Sequence, residues 1–164
     1  MQNLISVIIP FYKKRKYFIK TINSIKNQSY KNYEVIVVYD DTDKSDLIFV
    51  TKILENLKKK KILINKKNLG VGLSRNQGLK NSQGSFVAFL DADDVWHKNK
   101  LEYQLKFMKQ NKIDLSYTSY QIIDNDEKII KKILSPRKIN YKKLLYSCDI
   151  GLSSVMISHK LSNK

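Results

Sequence analysis

Four short apolar runs constrain this chain more than any other feature: Ile5 to Pro10, Val35 to Val38, Ile62 to Ile64 and Phe86 to Leu90. Each is too brief for a helix and rich in β-branched or aromatic residues, the pattern of a strand covered on both faces. Helical spacing fills the gaps between them. Phe18, Ile19, Ile22 and Ile25 recur at helical intervals and stop near Asn27 to Tyr30; Ser45 to Leu57 is a second helix candidate. A third ends at Leu79, where Asn81 to Gly84 break it. Strand and helix in alternation predict an α/β fold, a mostly parallel sheet with helices on both faces and right-handed crossovers.

After Trp96, apolar residues from Leu101 to Met108 predict another helix, and Leu115 to Ile123 a strand with alternating Tyr and Ser. Asp124-Asn125-Asp126-Glu127 reads as a turn leading into Lys128 to Leu134, a hairpin pattern. Pro136 marks a loop, Tyr141 to Tyr146 a short helix, and Ser153 to Ile157 a final strand. A length of 164 residues suits one domain, and 42% apolar content is that of a chain that folds.

Lysine and arginine outnumber acidic residues 31 to 15, a formal charge of +16 that favours anionic partners without choosing among them. The lysines fall in short scattered runs such as Lys58 to Lys61, the ordinary pattern of a solvated face, and no aromatic-basic recognition motif accompanies them. Nucleic acid is therefore not the expected partner. The single cysteine, Cys148, rules out an internal disulfide framework and reads as a small packing residue. With no secretory leader, the expected compartment is cytoplasmic, and the charge leaves room for peripheral contact with an anionic membrane at its inner face.

In parallel sheets, ligands sit beyond the carboxyl ends of the strands, so the loops after Ile9, Val38, Ile64 and Leu90 should converge on one cleft. Two of these loops are acidic. Asp91, Asp93 and Asp94 crowd three carboxylates at a strand end, where repulsion must be offset by a cation or hydrogen-bond donors. Mg2+ or Mn2+ would serve, shared between carboxylate and substrate phosphate; an acidic turn or helix cap is the alternative. Asp94, nearest the next helix, is the structural candidate. Asp40 and Asp41 suit either base N–H and ribose hydroxyls or a loop cap. Asn68, Gly70 and Gly72 resemble a phosphate-cradling loop but lack the ending of a P-loop. Arg75 is a candidate cation for a diphosphate or a solvated helical arginine. Trp96 is expected to pack, and His97 to lie at the surface.

The residues that carry a family likeness are Ser6-Val7-Ile8-Ile9-Pro10-Phe11-Tyr12, Gln28-Ser29-Tyr30, Glu34 to Asp41, Asn68-Leu69-Gly70, Ser74-Arg75-Asn76-Gln77-Gly78 and Gly84 to Asp94. In order and spacing the chain resembles a family 2 glycosyltransferase over most of residues 4 to 105, with an echo at Ser153-Ser154-Val155-Met156. The resemblance implies a GT-A (Rossmann-like) fold and inverting transfer of a sugar from a UDP- or dTDP-linked donor to a glycan or lipid-linked acceptor, as in surface polysaccharide synthesis. By motif position, Pro10, Phe11 and Tyr12 would wall the base pocket, Asp40 would bond the base, and Arg75 would lie near the nucleotide. Asp91-Ala92-Asp93 would be the Asp-X-Asp motif, with Asp93 the preferred metal ligand and Asp91 reaching ribose or donor sugar.

Tyr39-Asp40-Asp41-Thr42 stands where members often have Asp-Asp-Gly-Ser, and Lys98 where proline is common. The family's later carboxylate, the general base for the acceptor hydroxyl, has no counterpart before Lys164; Asp149 is the only acidic residue nearby. The reading is thus of a single domain over residues 1 to 164, incomplete at its C-terminal acceptor end, with a catalytically inactive donor-binding domain as the alternative.

Overall fold

The structure is a computed structural model that describes residues 3–137, 139–146 and 150–162. The first half alternates as the sequence predicts: β1 (Ile5–Phe11), α1 (Arg15–Lys26), β2 (Tyr33–Tyr39), α2 (Leu47–Leu54), β3 (Lys60–Ile64), α3 (Gly70–Lys80) and β4 (Phe86–Phe89). Next come α4 (Lys100–Asn111), β5 (Leu115–Ser116), β6 (Tyr120–Ile123), β7 (Ile129–Ile133) and α5 (Tyr141–Tyr146). A 3-10 turn (Leu152–Ser154), β8 (Met156–Ser158) and α6 (His159–Ser162) follow. Cys148 and Asp149 lie outside the described residues.

Six strands form one sheet in the order β3-β2-β1-β4-β8-β5. The pairs β1–β2, β1–β4 and β2–β3 are parallel, and β8 runs antiparallel to both neighbours. The chain leaves β1 toward β2 on one side and reaches β4 on the other, so the sheet has its switch point between β1 and β4, where such sheets open a crevice.

The apolar character of β1 is explained by a core on each face. Ile5, Val7, Ile9 and Phe11 join Phe18, Ile22 and Ile25 of α1, Val50 and Leu54 of α2, and Leu101, Leu105 and Met108 of α4. Ile8 faces the other way, into a smaller cluster with Val87, Phe89, Val155 and Leu79 of α3. Glycine lets α3 come close there: a Cβ on Gly78 would stand 2.4 Å from Ile8 Cγ2. At the far end from the crevice, Ser6 Oγ donates to Glu34 Oε1 at 2.5 Å and accepts from Gly84 N at 2.8 Å, tying β1, β2 and the approach to β4 together.

The second half departs from the expected elements. The single strand expected over Leu115 to Ile123 is two: β5 pairs with the short β8, and β6 leaves the sheet to form a separate hairpin with β7. Between them Tyr117 joins the smaller core cluster and its hydroxyl donates to Pro136 O at 2.7 Å. The final strand begins later than Ser153, because Leu152–Ser154 form a 3-10 turn in which Ser154 Oγ donates back to Gly151 O at 2.6 Å. The expected turn is confirmed: Asp124 Oδ1 accepts from Asp126 N and Lys128 N, and Glu127 takes φ 64°. Among the described residues no helix is long and apolar enough to cross a membrane.

Candidate functional site

At the switch point lies an open cleft of about 460 Å³, a volume suited to a nucleotide-sized ligand. Pro10, Phe11, Tyr12 and Lys14 border it from the end of β1, Asp40 from β2, Asn68, Gly70 and Val71 from the start of α3, and Asp91, Ala92 and Asp93 from the end of β4. Most of the nucleotide-sugar residues expected from sequence therefore meet in one place. Asp41 and Arg75 are the two that do not line it.

The chain turns out of β1 at Lys13, which takes the left-handed value φ 51°. Tyr12 is left 45% exposed at the rim. Phe11 borders the cleft, but its ring belongs to the core, stacked on Tyr39 with centroids 5.5 Å apart and edge-on to Phe18 at 4.9 Å. It supports the wall from behind and offers no face for stacking.

One sequence reading is corrected at α3, and for Asp40 and Asp41 the capping alternative is met. The glycine-rich segment is no open phosphate loop, because Gly70 and Gly72 already belong to the helix. Its first N–H groups are also taken: Leu69 N donates to Asp40 Oδ1 at 2.8 Å and Gly70 N to Asp40 Oδ2 at 2.9 Å. Asn65 Nδ2 adds a third bond to Oδ1 at 2.7 Å, and Asn68 Nδ2 donates to the Asp40 carbonyl at 2.9 Å. Asp40 is 2% exposed and acts first as the acceptor for the N-terminus of α3. A carboxylate has about four lone-pair sites, so one remains for a ligand. Asp41 is buried as well, its Oδ1 accepting from Asp43 N at 3.1 Å, which is the loop-capping role.

Each of the three carboxylates after β4 has a side-chain partner among the described residues. Arg75 Nη2 lies 2.5 Å from Asp91 Oδ1, Lys14 Nζ lies 2.7 Å from Asp93 Oδ2, and Ser153 Oγ donates to Asp94 Oδ2 at 2.5 Å. Internal donors thus offset the repulsion that the sequence suggested a metal would relieve. Among the described residues Arg75 Nε is buried without a partner, so its guanidinium is only partly used by Asp91. Burial pushes the Asp94 carboxyl up, the Ser153 hydroxyl opposes this, and Asp91 and Asp93 add to the rise. Conversely, the bond to Asp93 raises the Lys14 ammonium.

Among the described residues no group of three His, Cys, Asp or Glu side chains could hold a metal by itself. Yet Mg2+ is normally bound by one or two carboxylates together with substrate phosphates, not by an all-protein cage. Asp93 meets that requirement: its side chain is 35% exposed, it borders the cleft, and it is held by a half-exposed lysine. The donor set fits a divalent ion that shares its shell with a diphosphate.

Sequence reasoning did not single out Lys14, Thr21 or Gln28 as individual residues. Lys14 sits in a polar stretch with no spacing signal. Thr21 Oγ1 donates to Ala92 O at 2.9 Å, anchoring the acidic loop to α1. Gln28, noted only as part of a motif, is buried between two elements: its Nε2 donates to His97 O and its Oε1 accepts from Leu101 N at the start of α4. Trp96 packs as expected, with Nε1 donating to Ser153 O at 2.7 Å, and His97 is exposed.

Behind Trp96 lies a buried lysine. Lys100 Nζ stands 4.1 Å from the Trp96 ring centroid and 2.6 Å from Gln104 Oε1, and burial pushes its ammonium down to about 7 from 10.5. From about pH 7 to about pH 10 the unfolded chain holds a proton that the folded chain has released, so stability rises with pH across that window. Chemical denaturation should show the native chain gaining stability between about pH 7 and pH 9 relative to Lys100→Met. Parallel pH profiles would contradict a neutral buried amine.

Comparison with known proteins identifies the family of the chain. The family described as Glycosyl transferase family 2 matches residues 6–160. The chain is 38% identical over 160 residues to the Escherichia coli UDP-Glc:alpha-D-GlcNAc-diphosphoundecaprenol beta-1,3-glucosyltransferase WfgD, covering 98% of this chain and 62% of that protein. It is 35% identical to WfaP, an E. coli protein of the same described activity, covering 94% of this chain and 60% of that one. The chain thus spans about three fifths of the length of these relatives. Among solved structures, S. aureus TarS 1-349 superposes with a TM-score of 0.77 at 26% identity, over 97% of this chain and 48% of that one. Its complex with UDP superposes with a TM-score of 0.75 at 25% identity, over the same shares of the two chains.

Proposed function

The chain belongs to glycosyltransferase family 2, and from that premise we propose that its cleft binds a nucleotide-diphosphate sugar, UDP- or dTDP-linked, for inverting transfer to a glycan or lipid-linked acceptor. The observation that carries this reading is the convergence of four segments on one cleft, with carboxylates and two cations at its β4 edge. The base would lie between Pro10, Tyr12 and the remaining acceptor site of Asp40, beside Asn68. The diphosphate would lie toward Asp91 and Asp93, where Lys14 and Arg75 supply positive charge. Asp93, with Asp91, would hold Mg2+ or Mn2+, which when bound offsets the charge gathering on the departing diphosphate.

The relatives' names supply the acceptor class: WfgD and WfaP act on a diphosphoundecaprenol-linked sugar. For this chain that class is the proposal, and the formal charge of +16 suits both a diphosphate and peripheral contact with an anionic membrane. Calorimetric titration with UDP tests the donor reading. Binding should be measurable and should tighten when Mn2+ is added. No binding, or binding indifferent to Mn2+, overturns the assignment.

A further inference from the structure

Ser153 belongs to the second half of the chain, yet it holds two of the residues at the end of β4. Its hydroxyl accepts from the Asp91 backbone N–H at 3.0 Å and donates to Asp94 Oδ2 at 2.5 Å. A single Oγ therefore fixes where the acidic loop leaves β4 and where it turns back, for Asp94 N closes that turn on Asp91 O at 3.1 Å. Between these two points stand Ala92 and Asp93, and Ala92 O is pinned from the opposite side by Thr21. The loop that carries Asp93 is clamped at both shoulders.

The clamp itself rests on a buried frame. Trp96 Nε1 donates to the Ser153 carbonyl at 2.7 Å, and Gln104 Nε2 donates to the Ser154 carbonyl and to Ser116 Oγ, both at 3.0 Å. Lys100 joins the two supports, bonded to Gln104 and lying over the Trp96 ring. Trp96, Gln104, Ser116 and Ser154 are all under 10% exposed, so each polar group here has strong reason to keep its partner. In this 3-10 turn Ser153 turns its hydroxyl to the acidic loop and its carbonyl to Trp96.

We propose that Ser153 is a positioning residue for the diphosphate end of the donor site, setting the place of Asp91 and Asp93 from the acceptor-side half of the chain. The proposal rests on the donor reading above. It ties the two halves of the fold: the turn that leads into β8 holds the loop at the end of β4 in register with the cleft. Ser153 does not border the cleft, so its effect passes through the loop.

Because the base and the diphosphate occupy opposite ends of the cleft, the two ends can be assayed separately on the full 164-residue chain. Uridine probes the base end; UDP with Mn2+ probes both. Ser153→Ala should weaken UDP–Mn2+ binding about tenfold, the scale of one lost hydrogen bond to a charged group, and leave uridine affinity unchanged. Ser153→Thr, which keeps the hydroxyl, should restore UDP binding. A merely structural role would weaken both ligands together or neither, and either result overturns the proposal. A second measurement needs no ligand: amide hydrogen exchange at Asp91 should quicken in Ser153→Ala and return toward native in Ser153→Thr. Unchanged exchange at Asp91 would overturn the positioning role by itself. Failure of wild type to bind either ligand would instead count against the donor reading, leaving the exchange result to decide the role of Ser153.

Discussion

Asp40→Ala is expected to lower stability by roughly 3 kcal/mol, the sum of a lost helix-terminal acceptor and buried donors left unpaired. Three donors converge on that carboxylate, two of them the backbone N–H groups of Leu69 and Gly70. Nothing else on β2 can replace it: Tyr39 is turned to the core, and Asp41 is engaged with its own loop. In a domain of this size such a loss corresponds to a fall in melting temperature of about 10 °C. Asp40→Asn keeps one oxygen and should lose about half as much. An unchanged melting temperature for Asp40→Ala would show that α3 does not depend on this acceptor, and would return Asp40 to a purely ligand-binding role.

The second large effect should be opposite in kind. Asp93 contributes to the fold through a half-exposed ion pair with Lys14, a class of contact worth about 0–1 kcal/mol. Asp93→Ala should therefore melt within a few degrees of native. If Asp93 is the carboxylate that shares a divalent ion with the diphosphate, the same change should remove the Mn2+-dependent part of UDP affinity, a loss of about 100-fold or more. Metal-independent UDP binding should persist, since Lys14 is then freed from its carboxylate. Loss of stability without loss of Mn2+ dependence would mean that the loop is structural and the metal, if any, is held elsewhere. Taken together, two aspartates bordering one cleft are separated by assay: one reports in the melting curve, the other in the titration.

That separation was not legible in the sequence. Asp40 and Asp93 both end apolar strands and both belong to short acidic clusters, so spacing treats them alike. The difference lies in what each carboxylate meets across the sheet edge, and those partners are 25 to 30 residues away for Asp40 and far along the chain for Asp93. The first half of the fold was readable because β1, β2 and β4 are largely buried and so appear as apolar runs, and the edge strand β3 still carries Ile62-Leu63-Ile64. The second half was harder, because its strands are two to five residues long and serine can bond the backbone as easily as it can extend a strand. Tyr117 and Ser153 decide the geometry there through bonds to Pro136, Asp91 and Asp94, which no local period encodes. The motif Gln28-Ser29-Tyr30 is a similar case: a recurring string whose glutamine is buried and spans α1, the acidic loop's exit and α4.

Anomalous diffraction from crystals soaked with UDP and Mn2+ would locate the metal and the diphosphate. A manganese peak is expected within coordination distance of an Asp93 carboxylate oxygen, with the Lys14 ammonium moved off that oxygen and the uracil lying toward Pro10 and Asp40. A manganese peak away from Asp93, or UDP bound outside the cleft between β1 and β4, would contradict that placement.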